Sequence, residues 1–447
     1  MKISYKIQIF KFVFVLLCIP TVFLTVNAQN KMDGIERDRL KAMLKNIKNE
    51  IKKNYYDPNY HGIDIEVRFT QAENRLKEVG TTGQGLAVIA QVLMDFNDSH
   101  PYFLPPATNL EVEYGGRMQM FGDKGFITTV KPGSDAEAKG LKTGDQVLAV
   151  ESFRPTKSEL WKMMYYYNGL SKRTKLNLTI LSPKDEKPRQ LEINSIIKKL
   201  PTVITQQTLY RLFDTSGELD IDKHLFMKIG GVAVWKMPTF SFDPQNVDLL
   251  IGKVKGSQSL ILDFRGNGGG YVKTLERLAS FMFDKDLRIA ELKGRKEMEP
   301  QASKTKGADA YKGNLIVLID ARSGSAAEIF ARLVQLEKRG KVLGDVSAGS
   351  VMQSMPFSAS LSNDAVFYGA SITNADVIMS DGKSLEHTGV IPDELIVPTG
   401  LDLANQRDPV LAKAFELLGS KVTSEQAGSF FQYKWKNDRL TLDLGSK

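Results

Sequence analysis

The stretch Leu315-Ile316-Val317-Leu318-Ile319-Asp320-Ala321-Arg322-Ser323-Gly324-Ser325-Ala326-Ala327-Glu328 decides how the chain reads. Leu315 to Asp320 is a continuous apolar run ending in one acid, the pattern of a strand buried on both faces. Ile329, Phe330, Leu333 and Val334 then recur at helical spacing, so the segment predicts a strand, a short turn and an amphipathic helix. Ser325 stands in that turn. A hydroxyl at a helix N-terminus lies beside free amides and the positive end of the dipole, which can stabilise the oxyanion of an acyl transfer. The same position suits a plain N-cap serine, whose oxygen accepts an orphan backbone N–H.

A second apolar run, Ser259 to Phe264, leads into Asp263-Phe264-Arg265-Gly266-Asn267-Gly268-Gly269-Gly270. The glycines lack Cβ atoms where a ligand backbone would approach, so Gly268 or Gly269 could supply an oxyanion amide. Asp263 and Arg265 read as a structural pair, and no Lys-Ser/Thr follows the glycines to make a phosphate loop. Alternation of buried strands and helices from about Pro201 to Pro398 predicts a largely parallel sheet, with functional loops at the carboxyl ends of its strands.

Upstream, the apolar residues of Gly34 to Asn97 fall at helical spacing in three runs, and the last is predicted to stop at Asn97-Asp98-Ser99-His100-Pro101. The proline disfavours helical geometry at His100 and puts the Ser-His pair on a loop. Between Asn109 and Ser195, β-rich runs alternate with turns. Ile127-Thr128-Thr129-Val130 through Pro132-Gly133-Ser134, Lys139-Gly140-Leu141 and Gly144-Asp145 to Val150 resembles the heart of a PDZ domain, a fold that captures chain ends by strand addition. Tyr114-Gly115-Gly116-Arg117 is the candidate carboxylate-holding loop, or an ordinary turn. Near the C-terminus the pattern predicts one short helix around Pro409 to Leu418.

At 447 residues the chain is too long for one core, and roughly 100 to 200 residues per domain implies about three units. Of the formal charge of +8, three positive charges, Lys2, Lys6 and Lys11, precede the apolar stretch Phe12 to Leu24. With Val26-Asn27-Ala28 after it, this reads as a secretory signal, and the mature chain would begin near Gln29. The alternative is an uncleaved anchor. Leu17 before Cys18 argues against a lipoprotein, and Cys18 is the sole cysteine, leaving no disulfide or cysteine nucleophile. Basic runs interleaved with aromatics are absent, so no nucleic-acid partner is implied; no metal or organic cofactor is implied either.

A serine nucleophile needs a base, and the chain offers His61, His100, His224 and His387. His61 lies in a polar turn and His224 in a charged stretch. His100, between Ser99 and Pro101, is best placed to be held rigidly, and Glu386 is a candidate to orient an imidazole.

Together the DFRGNGGG turn at Asp263 to Gly270, the SGSAAE turn at Ser323 to Glu328 and the PDZ-like segment resemble the C-terminal-processing (tail-specific) serine protease family. The resemblance extends to Asp408-Pro409-Val410-Leu411 near the end. In that family the serine three residues before the glutamate is the nucleophile, here Ser325. Many members carry a base lysine in a Gly-Lys pair downstream, where this chain has Gly349-Ser350. The branch that includes the tricorn core protease instead uses a Ser-His pair before the core and a late glutamate, here Ser99-His100 and Glu386. The resemblance therefore implies a multidomain α+β chain. Residues 1–28 would form a signal peptide, 29–105 a helical bundle, 106–198 a PDZ domain, 199–400 an α/β protease core of the ClpP/crotonase-like type, and 401–447 a helix and tail. It implies an exported, periplasmic, cell-envelope or secreted endopeptidase working through an acyl-enzyme. Ser325, His100, Glu386 and Ser99 would be catalytic, with Ala326 and Gly268 or Gly269 forming the oxyanion hole and polypeptide tails as partners. The competing reading is a non-catalytic PDZ or ligand-binding envelope protein on the same fold.

Overall fold

A computed structural model describes residues 32–108, 110–199, 223–361 and 366–432. The signal segment expected over 1–28 lies outside the described residues, as does the chain from 433 on. The architecture is mixed α+β.

Three helices open the described chain, Gly34–Asn54, Ile65–Glu78 and Thr82–Met94, capped by Asp33, Asp64 and Thr81. Each cap side chain accepts an amide of the first turn, satisfying a donor the helix cannot. Their apolar stripes meet at Leu44, Ile47, Phe69, Leu76 and Ile89, but this core is not closed by helices alone. It includes Phe103, Tyr368, Ala370 and Ile372 from the strands Tyr102–Leu104 and Val366–Met379.

Five antiparallel strands, Gly116–Phe121, Lys124–Val130, Gln146–Val150, Lys175–Leu181 and Arg189–Asn194, follow one another across a sheet in chain order. With the short helix Asp135–Ala138 they enclose a small core of Ile127, Ala136, Leu141, Val147 and Ile180. The edge strand Gly116–Phe121 and the turn that follows it hydrogen-bond to the rest of the molecule. Gln119 Nε2 donates to Asp320 Oδ2 at 2.6 Å and Gly122 N to Asp345 Oδ2 at 2.7 Å.

The largest sheet has the order Glu394–Leu395, Lys341–Gly344, Asn314–Ile319, Ser259–Asp263, Val232–Lys236, Leu225–Ile229, with only the last pair antiparallel. Parallel neighbours require crossovers, supplied by Asn246–Gly252, Val272–Met282 and Ala326–Leu336. The apolar runs are continuous because both faces are covered. Leu315, Val317 and Ile319 face the main core with Phe264 and Phe330, while Ile316 and Leu318 face Val410, Leu411 and Phe415.

Two features differ from the sequence reading. A second antiparallel sheet, centred on Val366–Met379 and flanked by Leu287–Gly294, Met352–Leu361 and Tyr102–Leu104, was not expected among βα units. The C-terminal region holds three short helices, Gly400–Ala404, Pro409–Leu417 and Ser424–Phe430, in place of the single one expected. Helices of five to nine residues show too few turns to declare a period and are set here by caps at Thr399, Asp408 and Thr423.

Candidate active site

Asp320, at the end of the Asn314–Ile319 strand, joins the two catalytic-type turns. Its Oδ1 accepts the amides of Gly266 and Arg322, both at 2.9 Å, and Gly324 N donates to Asn267 O at 2.9 Å. Ser325 follows with φ 49° and ψ −117°. That conformation is costly for a residue with a Cβ. The N-caps Asp33 and Thr81 lie in ordinary extended geometry at φ −85° and −131°, so Ser325 is more than a routine cap.

What holds Ser325 is a buried carboxylate. Ser325 N points to both Glu328 Oε2 and Ser350 O at 2.9 Å. Glu328, with no exposed surface, also accepts Ser347 Oγ at 2.6 Å, Gly349 N at 2.7 Å and Ser350 N at 3.0 Å. Burial pushes its carboxyl up to about 7, against the pull of those donors.

The glycine turn lies against the serine. A Cβ on Gly269, at φ +99°, would stand 2.7 Å from Ser325 Cβ, 2.9 Å from Gly324 O and 3.0 Å from Ala326 N, so only glycine fits. The amide of Gly269 donates to Asn267 Oδ1 at 2.9 Å, and buried Asn267 anchors itself on Met237 O. Asp263 and Arg265 are paired, and Arg265 also forks onto Asp408, with both contacts at 2.8 Å. Burial of Asp263 opposes ionisation, but Arg265 and Lys236 hold its carboxyl well below the usual range.

Residues remote in sequence meet at the Ser-His loop. Ser99 N donates to Glu386 Oε1 at 2.8 Å and Ser99 Oγ to Glu386 Oε2 at 2.9 Å. Ser99 Oγ is also 2.7 Å from His100 Nδ1. A hydroxyl has one proton. With that proton directed to the carboxylate, Ser99 must accept from His100 Nδ1–H, which leaves Nε2 with a lone pair. Glu386 Oε2 also takes Val351 N at 2.8 Å, next to the Ser350 carbonyl that faces Ser325 N. One short loop, Ser347 to Val351, thus hangs between Glu328 on the serine side and Glu386 on the histidine side. Burial first, and then the charge of Asp98, raise the Glu386 carboxyl.

The other histidines are engaged elsewhere. His61 bridges Phe96 O and Tyr56 Oη. His224, although its sequence neighbours are charged, is buried: Nδ1 accepts Trp235 Nε1 at 2.9 Å, and burial pushes the imidazole down to about 4. His387 lies 2.9 Å from Asn97 O through Nε2, and its amide donates to Gly349 O. In the Tyr114 to Arg117 segment, Gly115 O accepts Lys131 N, and a Cβ on Gly115 would strike Ser134 at 2.7 Å. Sequence reasoning gave no role to Asp98, Asn267 or the side chain of Glu328. The only signal was the cap-to-N3 spacing of Ser325 and Glu328. Among the described residues no group of three or more His, Cys, Asp or Glu is disposed to hold a metal.

Residues 231–396, which contain both turns and Glu386, match peptidase family S41. Among curated relatives, the tail-specific protease of Haemophilus influenzae is 28% identical over 278 residues, 58% of this chain and 37% of that protein. A carboxyl-terminal-processing protease of Synechocystis is 24% identical over 277 residues, 62% of this chain and 60% of that protein. The chain thus spans less than two thirds of the length of these relatives. The crystal structure of mature CPAF covers 83% of this chain and 95% of its own at a TM-score of 0.60 and 14% identity, a likeness of fold.

Proposed function

We propose that this chain is an exported serine endopeptidase of the C-terminal-processing type, with Ser325 as nucleophile and His100 as its general base. His100 Nε2 takes the Ser325 proton as Oγ attacks a peptide carbonyl. The imidazolium then protonates the leaving amine, and water, deprotonated by the same nitrogen, hydrolyses the acyl-enzyme. Ser99 relays the charge of Glu386 to Nδ1 and holds the productive tautomer. Ala326 N and the amide of Gly268 receive the oxyanion; Gly268 is preferred to Gly269 because the latter donates to Asn267. Polypeptide tails add to the edge strand Gly116–Phe121 of a PDZ-type unit over 106–198, with the helical unit over 29–105 and the core over 199–400 around it. Export rests on the residues of 1–28, and no described helix is long and apolar enough to cross a membrane.

The proton count at Ser99 carries this reading, because it leaves His100 Nε2 basic without invoking a lysine. The test is covalent labelling of the folded mature protein by a fluorophosphonate probe. Labelling is expected in the wild type, with none in Ser325→Ala or His100→Ala and unchanged thermal transitions. Labelling retained in Ser325→Ala refutes the assignment, and a folded wild type that never labels favours the ligand-binding reading.

A further inference from the structure

Resting on that reading, we infer that Asp98 is a further positioning residue of the site, holding the backbone of His100 on one side and the helical unit on the other. The Ser99–Glu386 arm fixes the imidazole at Nδ1 and holds the amide of Ser99, but not that of His100. Asp98 supplies that second arm. Its Oδ1 accepts His100 N at 2.9 Å, and its Oδ2 accepts Tyr55 Oη at 3.1 Å. Tyr55 is wholly buried, caps the Gly34–Asn54 helix with its own amide on Ile51 O at 3.0 Å, and packs on Phe96 with ring centroids 4.8 Å apart. The first helix therefore reaches the catalytic loop through a tyrosine hydroxyl and one carboxylate. Asn97, just before it, turns the chain at φ 49°, a left-handed conformation that asparagine adopts readily.

Asp98 is itself only 7% exposed, so its charge is felt locally. It is the second cause, after burial, of the raised Glu386 carboxyl and of the raised Tyr55 phenol. A buried and a partly buried carboxylate, Asp98 and Glu386, therefore flank Ser99-His100. Around this loop the other titratable groups are Tyr55, Tyr56 and Asp57 after the first helix, His61, Asp376 on Val366–Met379, and Glu386 and His387. When His100 takes the Ser325 proton, Asp98 and Glu386 both favour the imidazolium. Asp98 thus does two separable things: it places the backbone and it contributes charge.

Asp98→Asn separates them, since the amide oxygen still accepts His100 N while the charge is gone. The measurement is kcat and KM on a peptide reporter, with labelling rates, from pH 5 to 9, for the wild type, Asp98→Asn, Asp98→Ala and Tyr55→Phe. Asp98→Asn is expected to keep KM, lower kcat about tenfold and move the acid limb of kcat/KM down by about one pH unit. Asp98→Ala, losing both contributions, falls about a hundredfold, and Tyr55→Phe lies between wild type and Asp98→Asn. If Asp98→Ala fails to fold, the other two variants carry the comparison. An active wild type whose Asp98→Asn variant keeps kcat and acid limb overturns this inference alone. A folded wild type that neither labels nor hydrolyses overturns the protease reading and this inference with it.

Discussion

Replacing Gly269 with alanine tests the contact between the glycine turn and the serine directly. At φ +99° an L-residue is strained by about 1–2 kcal/mol. The new Cβ would sit 2.7 Å from Ser325 Cβ, 2.9 Å from Gly324 O and 3.0 Å from Ala326 N, and none of these is the far end of a flexible chain. Carbon contacts settle at roughly 3.5–4.0 Å, so one turn must retreat by half an ångström or more. Overpacking of this kind adds about 1–3 kcal/mol, giving a loss of roughly 2–5 kcal/mol in urea unfolding. The larger effect falls on the chemistry. Displacing the Ala326 amide should cost about as much as deleting an oxyanion donor, a factor of roughly 10²–10³ in fluorophosphonate labelling rate. Gly266→Ala is the control: Gly266 also has positive φ, at +78°, but its Cβ would meet nothing within 4 Å. It should lose about 1 kcal/mol of stability and label normally. Wild-type labelling by Gly269→Ala would refute the placement of the oxyanion site beside Ala326.

Glu386→Gln tests the proton relay. Each carboxylate oxygen accepts a backbone amide, Oε1 that of Ser99 and Oε2 that of Val351, so either orientation of the substituted amide sets its NH₂ against an N–H donor, and the negative charge behind Ser99 and Nδ1 is lost. A fall in kcat of roughly 10² or more at little change in KM is expected from loss of the charged end of the relay, and a kcat within tenfold of wild type would exclude the relay. Glu328 makes stability depend on pH. Its folded carboxyl lies near 7 against an ordinary 4.5, so between these values the folded state keeps a proton that the unfolded state has released. The contribution is fully present below about pH 4.5 and is lost as pH rises through about 7, a change on the order of 3 kcal/mol. Urea unfolding at pH 4.5 to 8 should show this slope, and Glu328→Gln should flatten it; an equal slope in the variant counts against the assignment.

Much of the fold was legible because buried parallel strands announce themselves. Ser259–Asp263 and Asn314–Ile319 read as unbroken apolar runs since a core lies on each face, and Gly266 to Gly270 marks a turn by composition alone. The sheet around Val366–Met379 was not legible. Its strands pair across distant sequence, and several are half-exposed and carry mixed residues, so no local period identifies them.

Within the site, local sequence determined the candidates. A serine at a strand-to-helix turn, a Ser-His pair stopped by proline and four histidines in all left few ways to build an acyl-transfer centre. Only tertiary structure decided which groups support them. Glu386 lies 287 residues from Ser99, and its carboxylate binds Ser99 as well as Val351. Asp98 accepts the Tyr55 hydroxyl from 43 residues away, and Glu328 gathers amides from a loop some twenty residues on. Such contacts depend on the path of the backbone and on the need of each buried carboxylate for donors. The chain's local periodicity encodes neither.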